Sequence, residues 1–456
     1  MSPSTPGSQA TEEGPTESVG RSAAPSPAPS SLSRHADFNR LWFGQTVSSF
    51  GSQISMMAIP LTAVLFLGAN AVQVGLLSAC ERFAFIGPTL IFGVWVDRTA
   101  RRPLMLATDL ARAALLLAIP VLAWAHHLSM YFLYVAVLLV GCLSGLFGLA
   151  YRAYLPSVVS REQLEQGNRR LQSTDSLSQI LGPTLGGFLV AALQAPFAVL
   201  IDAASFVVSA VSIAAVRTPE PRRAPTETRP GRAAMLREIG EGLRATVADP
   251  VLRALAGASA VFNFCTGVLL TLFVLYGIRD RGMSAAEIGL VNACFGAGGV
   301  LGATGLGWAL RRFGYGKVLT CGYGLAAVSV MAIPLVSATG ASATLLFGAL
   351  YFVAGVTIIS ANIAEMTLRQ LTVPANMLGR VTASFQFAIG ALVPISALVA
   401  GYLGTAVGLR TTLSVVAAVI PFSLLWFVGS PVPRLRSVTP VEPVIPGTSQ
   451  DEECPS

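Results

Sequence analysis

Apolar runs of about 20 residues, separated by short clusters of charged and turn-forming residues, recur along most of this 456-residue chain. A run of that length, wound as a helix, crosses the roughly 30 Å hydrocarbon core of a bilayer, so each is read as a membrane span. The runs fall near 42–67, 73–96, 103–125, 129–150, 170–193 and 196–216, then near 252–277, 285–310, 317–337, 342–366, 380–406 and 410–430. A polar tail precedes them (1–37), another follows (431–456), and a charged segment (217–250) divides them. The pattern predicts an all-α polytopic membrane protein with twelve transmembrane helices in two six-helix bundles, 38–216 and 251–430. In the divider, Leu236, Ile239, Leu243 and Val247 share one helical face, and Arg237, Glu241 and Arg244 another. That pattern reads equally as an amphipathic helix on the cytoplasmic membrane surface or as a solvated linker helix.

Composition agrees. Charged residues are 12% of the chain against about 25% in soluble domains, hydrophobic residues are 53%, and the mean hydropathy is +0.65. The net charge of +7 is scattered over loop ends without a basic stripe or interleaved aromatics, which excludes a nucleic-acid partner. With the N-terminus inside, the short inner loops hold twelve Arg and Lys and the outer loops three. The positive-inside rule then puts both tails in the cytoplasm, and the cell membrane is the expected location. Residues 1–34 lack a basic segment followed by an apolar core, so no cleavable signal peptide is expected and the first span serves as its own insertion signal.

Enzyme chemistry finds no foothold. Five of the six cysteines lie in apolar runs, Cys454 lies in the tail, and none shows CxxC spacing, so neither a disulfide framework nor a zinc site is indicated. The three histidines, His35, His126 and His127, make no i,i+4 pair in a span. Gly316-Lys317 is followed by Val318 and lacks the leading glycine of a P-loop, which removes an ATP-driven pump. No cofactor or metal is expected.

The two blocks are nearly equal in length, and after the second span of each comes a related loop: Gly93, Asp97, Arg98, Arg101 and Arg102 in the first, Gly307, Arg311 and Arg312 in the second. This placement supports a parallel repeat about an axis along the membrane normal. The first loop resembles the G-x-x-x-D-R-x-G-R-R motif of the major facilitator superfamily, with Ala100 where the family usually has glycine. The first span from Trp42 to Gln53, Tyr154-Leu155-Pro156, Asp202 to Phe206, and Leu378 to Val381 resemble the branch that contains macrolide and siderophore exporters. On the fifth span, Gly182, Pro183, Gly186 and Gly187 resemble the G-P-x-x-G-G element of proton-coupled drug antiporters, although small-xxx-small pairs are also common in packed membrane helices. The resemblance implies the major facilitator fold, and for Asp97 a gating role: its carboxylate would latch onto the amides that open the eleventh span near Gly379 and Arg380. The arginine that such antiporters often carry on the fourth span is absent from Val137 to Leu149.

A charge at membrane depth costs about 2.5–3.5 kcal/mol on insertion scales, so each needs a partner, a wet cavity or a task. Glu81, next to Arg82, lies about 14 Å inside the second span and is the first candidate for a proton-carrying carboxyl group; a fixed structural pair is the alternative. Asp109 and Arg112 share a face of the third span and read first as a salt bridge, secondly as part of a proton relay. Glu365 and Arg369 have the acid-first i,i+4 order and read as a local pair or an inner-gate contact, and Asp202 is placed shallow enough to reach interfacial water. Gln45, Ser49 and Gln53, with Asn263, Asn292, Asn362 and Gln386, are candidate cavity residues, interhelical hydrogen bonding being the alternative.

Together these readings point to a secondary transporter that exports a hydrophobic or amphipathic small molecule in exchange for protons by alternating access, as a monomer in the lipid bilayer. An importer or lipid flippase on the same scaffold, or a non-transporting sensor, are the alternatives.

Overall fold

The computed structural model describes Leu32 and residues 35–86, 99–218 and 232–436. Twelve α-helices run through these residues: α1 (Ala36–Leu61), α2 (Ala71–Ile86), α3 (Arg101–Trp124), α4 (Met130–Val158), α5 (Arg161–Leu193), α6 (Ala195–Ala214), α7 (Arg232–Ala248), α8 (Pro250–Arg281), α9 (Ala285–Ala332), α10 (Gly340–Thr372), α11 (Ala375–Ala406) and α12 (Leu409–Val419). Their starts carry the chemistry that exposed helix amides require. The His35 ring accepts from the Phe38 amide, Ser129 from Phe132, and Asp249 from Val251 and Leu252, while Ser284 and Glu287 form a reciprocal capping box.

Among the described residues ten helical segments are long and apolar enough to cross a membrane; α9 with its 3-10 extension to Leu335 counts once, and α2, described over 16 residues, and α7 are not among them. The eighth and ninth expected spans thus run together as one 48-residue element, broken only at Gly314 (φ 78, ψ 168). The element nevertheless doubles back. Gly302 packs against Val356 and Ser360 of α10, and Gly322 against Thr357 and Ala361. Twenty residues of straight helix would rise about 30 Å, yet both glycines meet the same turns of α10, so the chain reverses between them. Gly314 supplies the left-handed backbone for that reversal. The segment after the last span lies over it: the Gly316 amide donates to Leu435 O at 2.9 Å, and a Cβ on Gly314 would come within 2.8 Å of Arg436. Beyond Val419 the last span narrows to a 3-10 helix, Ile420–Trp426, because Pro421 offers no amide to the α-ladder.

Helices before residue 218 pack mainly among themselves, α1 on α5 and α6, and α3 on α4 and α6; after residue 232, α8 packs on α11 and both limbs of α9 on α10. The two groups meet where α2 lies on α11 and α5 on α9. At each meeting place glycine faces glycine. A Cβ on Gly75 would stand 2.7 Å from Gly401 Cα, and one on Gly187 would stand 2.9 Å from Gly289 Cα. Gly75 and Gly289 are 214 positions apart (289 less 75), as are Gly187 and Gly401 (401 less 187) and the loop glycines Gly93 and Gly307 (307 less 93). The offset that the sequence repeat suggests therefore relates the two contacts to one another. Both lie near the end of the molecule that carries the 67–70, 194 and 282–284 connections, where Arg279 of α8 also donates to Gly68 O (3.0 Å) and Ala69 O (2.7 Å).

α7 docks by its Gly242 against the Arg380 carbonyl and Ser384 of α11, and Arg380 donates to Glu241 at 2.9 Å. Its Leu243 and Val247 remain exposed.

Candidate functional site

Two networks of buried polar side chains lie between the helices, one in each group. In the first, Asp109 and Arg112, one turn apart on α3, form an ion pair and are both buried. Arg112 also donates to Ser144 Oγ of α4 at 3.2 Å, and its guanidinium lies 4.5 Å from the ring centre of Phe147 and 4.1 Å from that of Phe206. Aromatic faces of this kind stabilise a cation removed from water. Asp202 of α6 is within electrostatic reach of Arg112 and accepts from Ser205 Oγ at 3.0 Å and, more weakly, from Ser52 Oγ of α1 at 3.5 Å. Gly51 makes the approach of α6 to α1 possible, since a Cβ there would stand 2.7 Å from Asp202 Oδ1. Asp202, at 2% exposure, does not reach the interfacial water at which its shallow sequence position aimed it; α1 and Ser205 of its own helix lie against it. The network sets two carboxyl groups against one guanidinium, and Asp109 Oδ2 and Arg112 Nε have no hydrogen-bond partner.

In the second network, Glu365 Oε2 of α10 accepts from Ser259 Oγ of α8 and from the Tyr323 hydroxyl of α9, each at 2.8 Å, and those two hydroxyls are themselves 2.8 Å apart. Tyr323 is held edge-on by Phe262 and Phe427, with ring centres 5.0 and 5.4 Å away. The expected Glu365–Arg369 pair does not form. Glu365 reaches across to α8 and α9, where two hydroxyls donate to its buried carboxyl oxygen. Arg369 lies 4.2 Å over the Phe385 ring with its Nε and Nη1 unpartnered.

The other sequence candidates are dispersed. Glu81 and Arg82 are half-buried on α2, and neither forms a hydrogen bond or ion pair among the described residues. Gly93, Asp97 and Arg98 lie outside the described residues. Arg101 donates to Ala153 O of α4 at 2.8 Å, and Arg102 to Ala214 O at 2.6 Å, the last carbonyl of α6, where the helix dipole favours a cation. Gly182 and Gly186 receive α1 at Gln53, Ile54 and Met57, Gly187 meets Gly289, and Pro183 turns its carbonyl toward that same glycine. Gln45, Ser49 and Gln53 are half-buried on α1, with Gln45 Oε1 unpartnered. The Asn263 and Asn292 amides donate to carbonyls of their own helices, Ser259 O (2.8 Å) and Ile288 O (2.9 Å), while Asn362 and Gln386 are exposed.

Sequence reasoning missed the Ser259–Tyr323–Glu365 triangle. The 214-residue offset carries a signal for it: Tyr323 falls opposite Asp109, and Glu365 opposite Tyr151, so phenol and carboxyl group exchange places between the repeats.

The family profile described as Major Facilitator Superfamily matches residues 41–397. The chain is 29% identical over 417 residues to the multidrug efflux pump Tap of Mycolicibacterium fortuitum, covering 87% of this chain and 95% of that one. It is 25% identical over 274 residues to macrolide efflux protein A of Streptococcus pyogenes, covering 59% and 66% respectively. Among solved structures, a bacterial homologue of the iron transporter ferroportin in its inward-facing state superposes with a TM-score of 0.66 at 16% identity, over 88% of this chain and 99% of the other. At that identity the likeness is one of fold.

Proposed function

The chain belongs to the Major Facilitator Superfamily, a multi-pass membrane transporter of small molecules and not an enzyme, and from that premise we propose that it exports a hydrophobic or amphipathic compound in exchange for protons. In this reading twelve spans form two six-helix halves, 38–216 and 251–430, in the cell membrane. Both tails (1–37 and 431–456) and the central segment 217–250 are cytoplasmic, and the protein works as a monomer. The glycine contacts Gly75–Gly401 and Gly187–Gly289 then close the outer side, and rocking of the halves about the cavity between them exchanges that closure for one at the inner loop of Gly93, Asp97 and Arg98.

The observation that carries the reading is the imbalance of two carboxyl groups, Asp109 and Asp202, against the single cation Arg112. Uncompensated charge at membrane depth is costly, so this network is neutral with one proton bound and needs a conformational change to let it go. Export agrees with the names of the relatives, a multidrug and a macrolide efflux pump. The relevant variant is Asp202→Asn, since Asp202 is bound by hydroxyls while Asp109 neutralises Arg112. In proteoliposomes with an imposed pH gradient, wild-type protein should move ethidium against its concentration gradient, and Asp202→Asn should lose most of the dependence on the gradient while still binding ethidium. Gradient-driven transport at the wild-type rate in the variant would remove this network from the mechanism.

A further inference from the structure

The start of α8 and the 3-10 turns of the last span enclose a groove of about 490 Å³ whose two ends differ in chemistry. Arg253 and Ser430 stand at its mouth, and Val261, Phe422 and Leu425 line its length. From Pro250 to Val261 the helix rises about 16 Å, comparable to an acyl chain. Trp426 forms the floor by lying on Gly257, where any side chain would run into the indole. The groove opens sideways, with Phe422, Leu425 and Val428 at 57, 58 and 74% exposure.

The cation at the mouth is available. Arg253 is exposed, and the one hydrogen bond that its side chain makes among the described residues, Nη1 to Val247 O at 2.9 Å, holds the guanidinium beside the groove while leaving its other N–H groups free. Asp249, one turn earlier, is engaged by the Val251 and Leu252 amides at 2.8 and 2.9 Å. The neighbouring α7 adds exposed Leu243 and Val247, an apolar face suited to the membrane interface. A second groove, between α3 and α4 around Leu115, Phe132 and Cys142, is lined by apolar residues throughout and offers no anchor for a headgroup.

We propose that the α8 groove is a binding site for one anionic phospholipid, its phosphate on Arg253 and one acyl chain laid along α8 against Phe422 and Leu425. The charge selects the headgroup, the apolar walls exclude a free phosphate, and the sideways opening admits a molecule from the bilayer. The site stands whether or not the transport reading does.

The test is native mass spectrometry of the full-length protein, purified with phosphatidylglycerol or with phosphatidylcholine. Wild type should retain one phosphatidylglycerol in preference to phosphatidylcholine. Arg253→Gln should reduce that retention about fivefold, the factor that one cation near the membrane surface contributes. Arg253→Lys and Arg434→Gln, the latter removing an exposed cation outside the groove, should stay within about twofold of wild type. Val261→Trp, which keeps the cation and fills the groove, should also lose the lipid. Equal retention of both lipids by wild type, an unaffected Arg253→Gln, an unaffected Val261→Trp, or an equal loss in Arg434→Gln would each overturn the site.

Discussion

If the paired glycine contacts hold one side of the transporter shut, bulk placed in either should open that side. At Gly289 a Cβ would stand 2.8 Å from the Pro183 carbonyl oxygen and 2.9 Å from Gly187 Cα, whereas ordinary contacts between heavy atoms begin near 3.5 Å. Gly289→Val adds two further methyl groups, so α5 and α9 must part by about 1 Å. Overpacking of this size costs about 1–3 kcal/mol. The cost falls only on the state in which the helices touch, so it shifts the balance between states about 5- to 150-fold toward the other one. Ala69 is a suitable reporter: it is fully buried, and its carbonyl is held by Arg279 of the other group. In a background without native cysteines, maleimide labelling of Ala69→Cys should accelerate at least fivefold when Gly289→Val is added. Gly75→Val, placed 2.6 Å from Ala397 O, should act alike. Gly305→Ala, which meets nothing within 4 Å, should leave the rate unchanged. A rate within twofold of the parent for both valine variants, or equal acceleration by Gly305→Ala, would refute the reasoning.

Three further outcomes follow from the geometry. Tyr323→Phe removes one of the two hydroxyls on Glu365 and should cost about 1–3 kcal/mol, seen as a lowered unfolding temperature in detergent; an unchanged temperature would mean that Ser259 alone satisfies the carboxyl group. Arg380→Gln breaks only a pair whose side chains are 45 and 36% exposed, and should move that temperature by less than about 2 °C. Glu81→Gln should keep at least half of the gradient-driven ethidium transport, because Glu81 has no hydrogen bond or ion pair among the described residues; a dead variant would move the proton site to α2.

Much of the architecture is legible in the sequence because a bilayer leaves a chain few choices: backbone polar groups must be satisfied within each span, so apolar runs of fixed length announce helices. The loop pairing Gly93 with Gly307 carries the repeat offset, and the same 214 positions relate the glycines that join the two groups. Less legible is which polar residues meet. Asp109 and Arg112 are found because one helix brings them together, whereas Asp202 comes within reach of Arg112 only through the packing of α6 on α3. Glu365 illustrates the opposite error. Local spacing favours Arg369, but two hydroxyls from other helices hold the carboxylate, a preference that no periodicity within α10 encodes. The cavity candidates fail to cluster for a similar reason: Asn263 and Asn292 spend their amides on carbonyls one turn back along their own helices.

The stretch after Trp426 matters to anyone handling this protein. By crossing the Gly314 reversal and taking the Gly316 amide onto Leu435, it buckles the final span to the hairpin of α9. Affinity tags and fluorescent fusions therefore belong beyond Arg436. A chain trimmed at Ser430 would unfasten that buckle and should come off the column less thermostable than the intact protein.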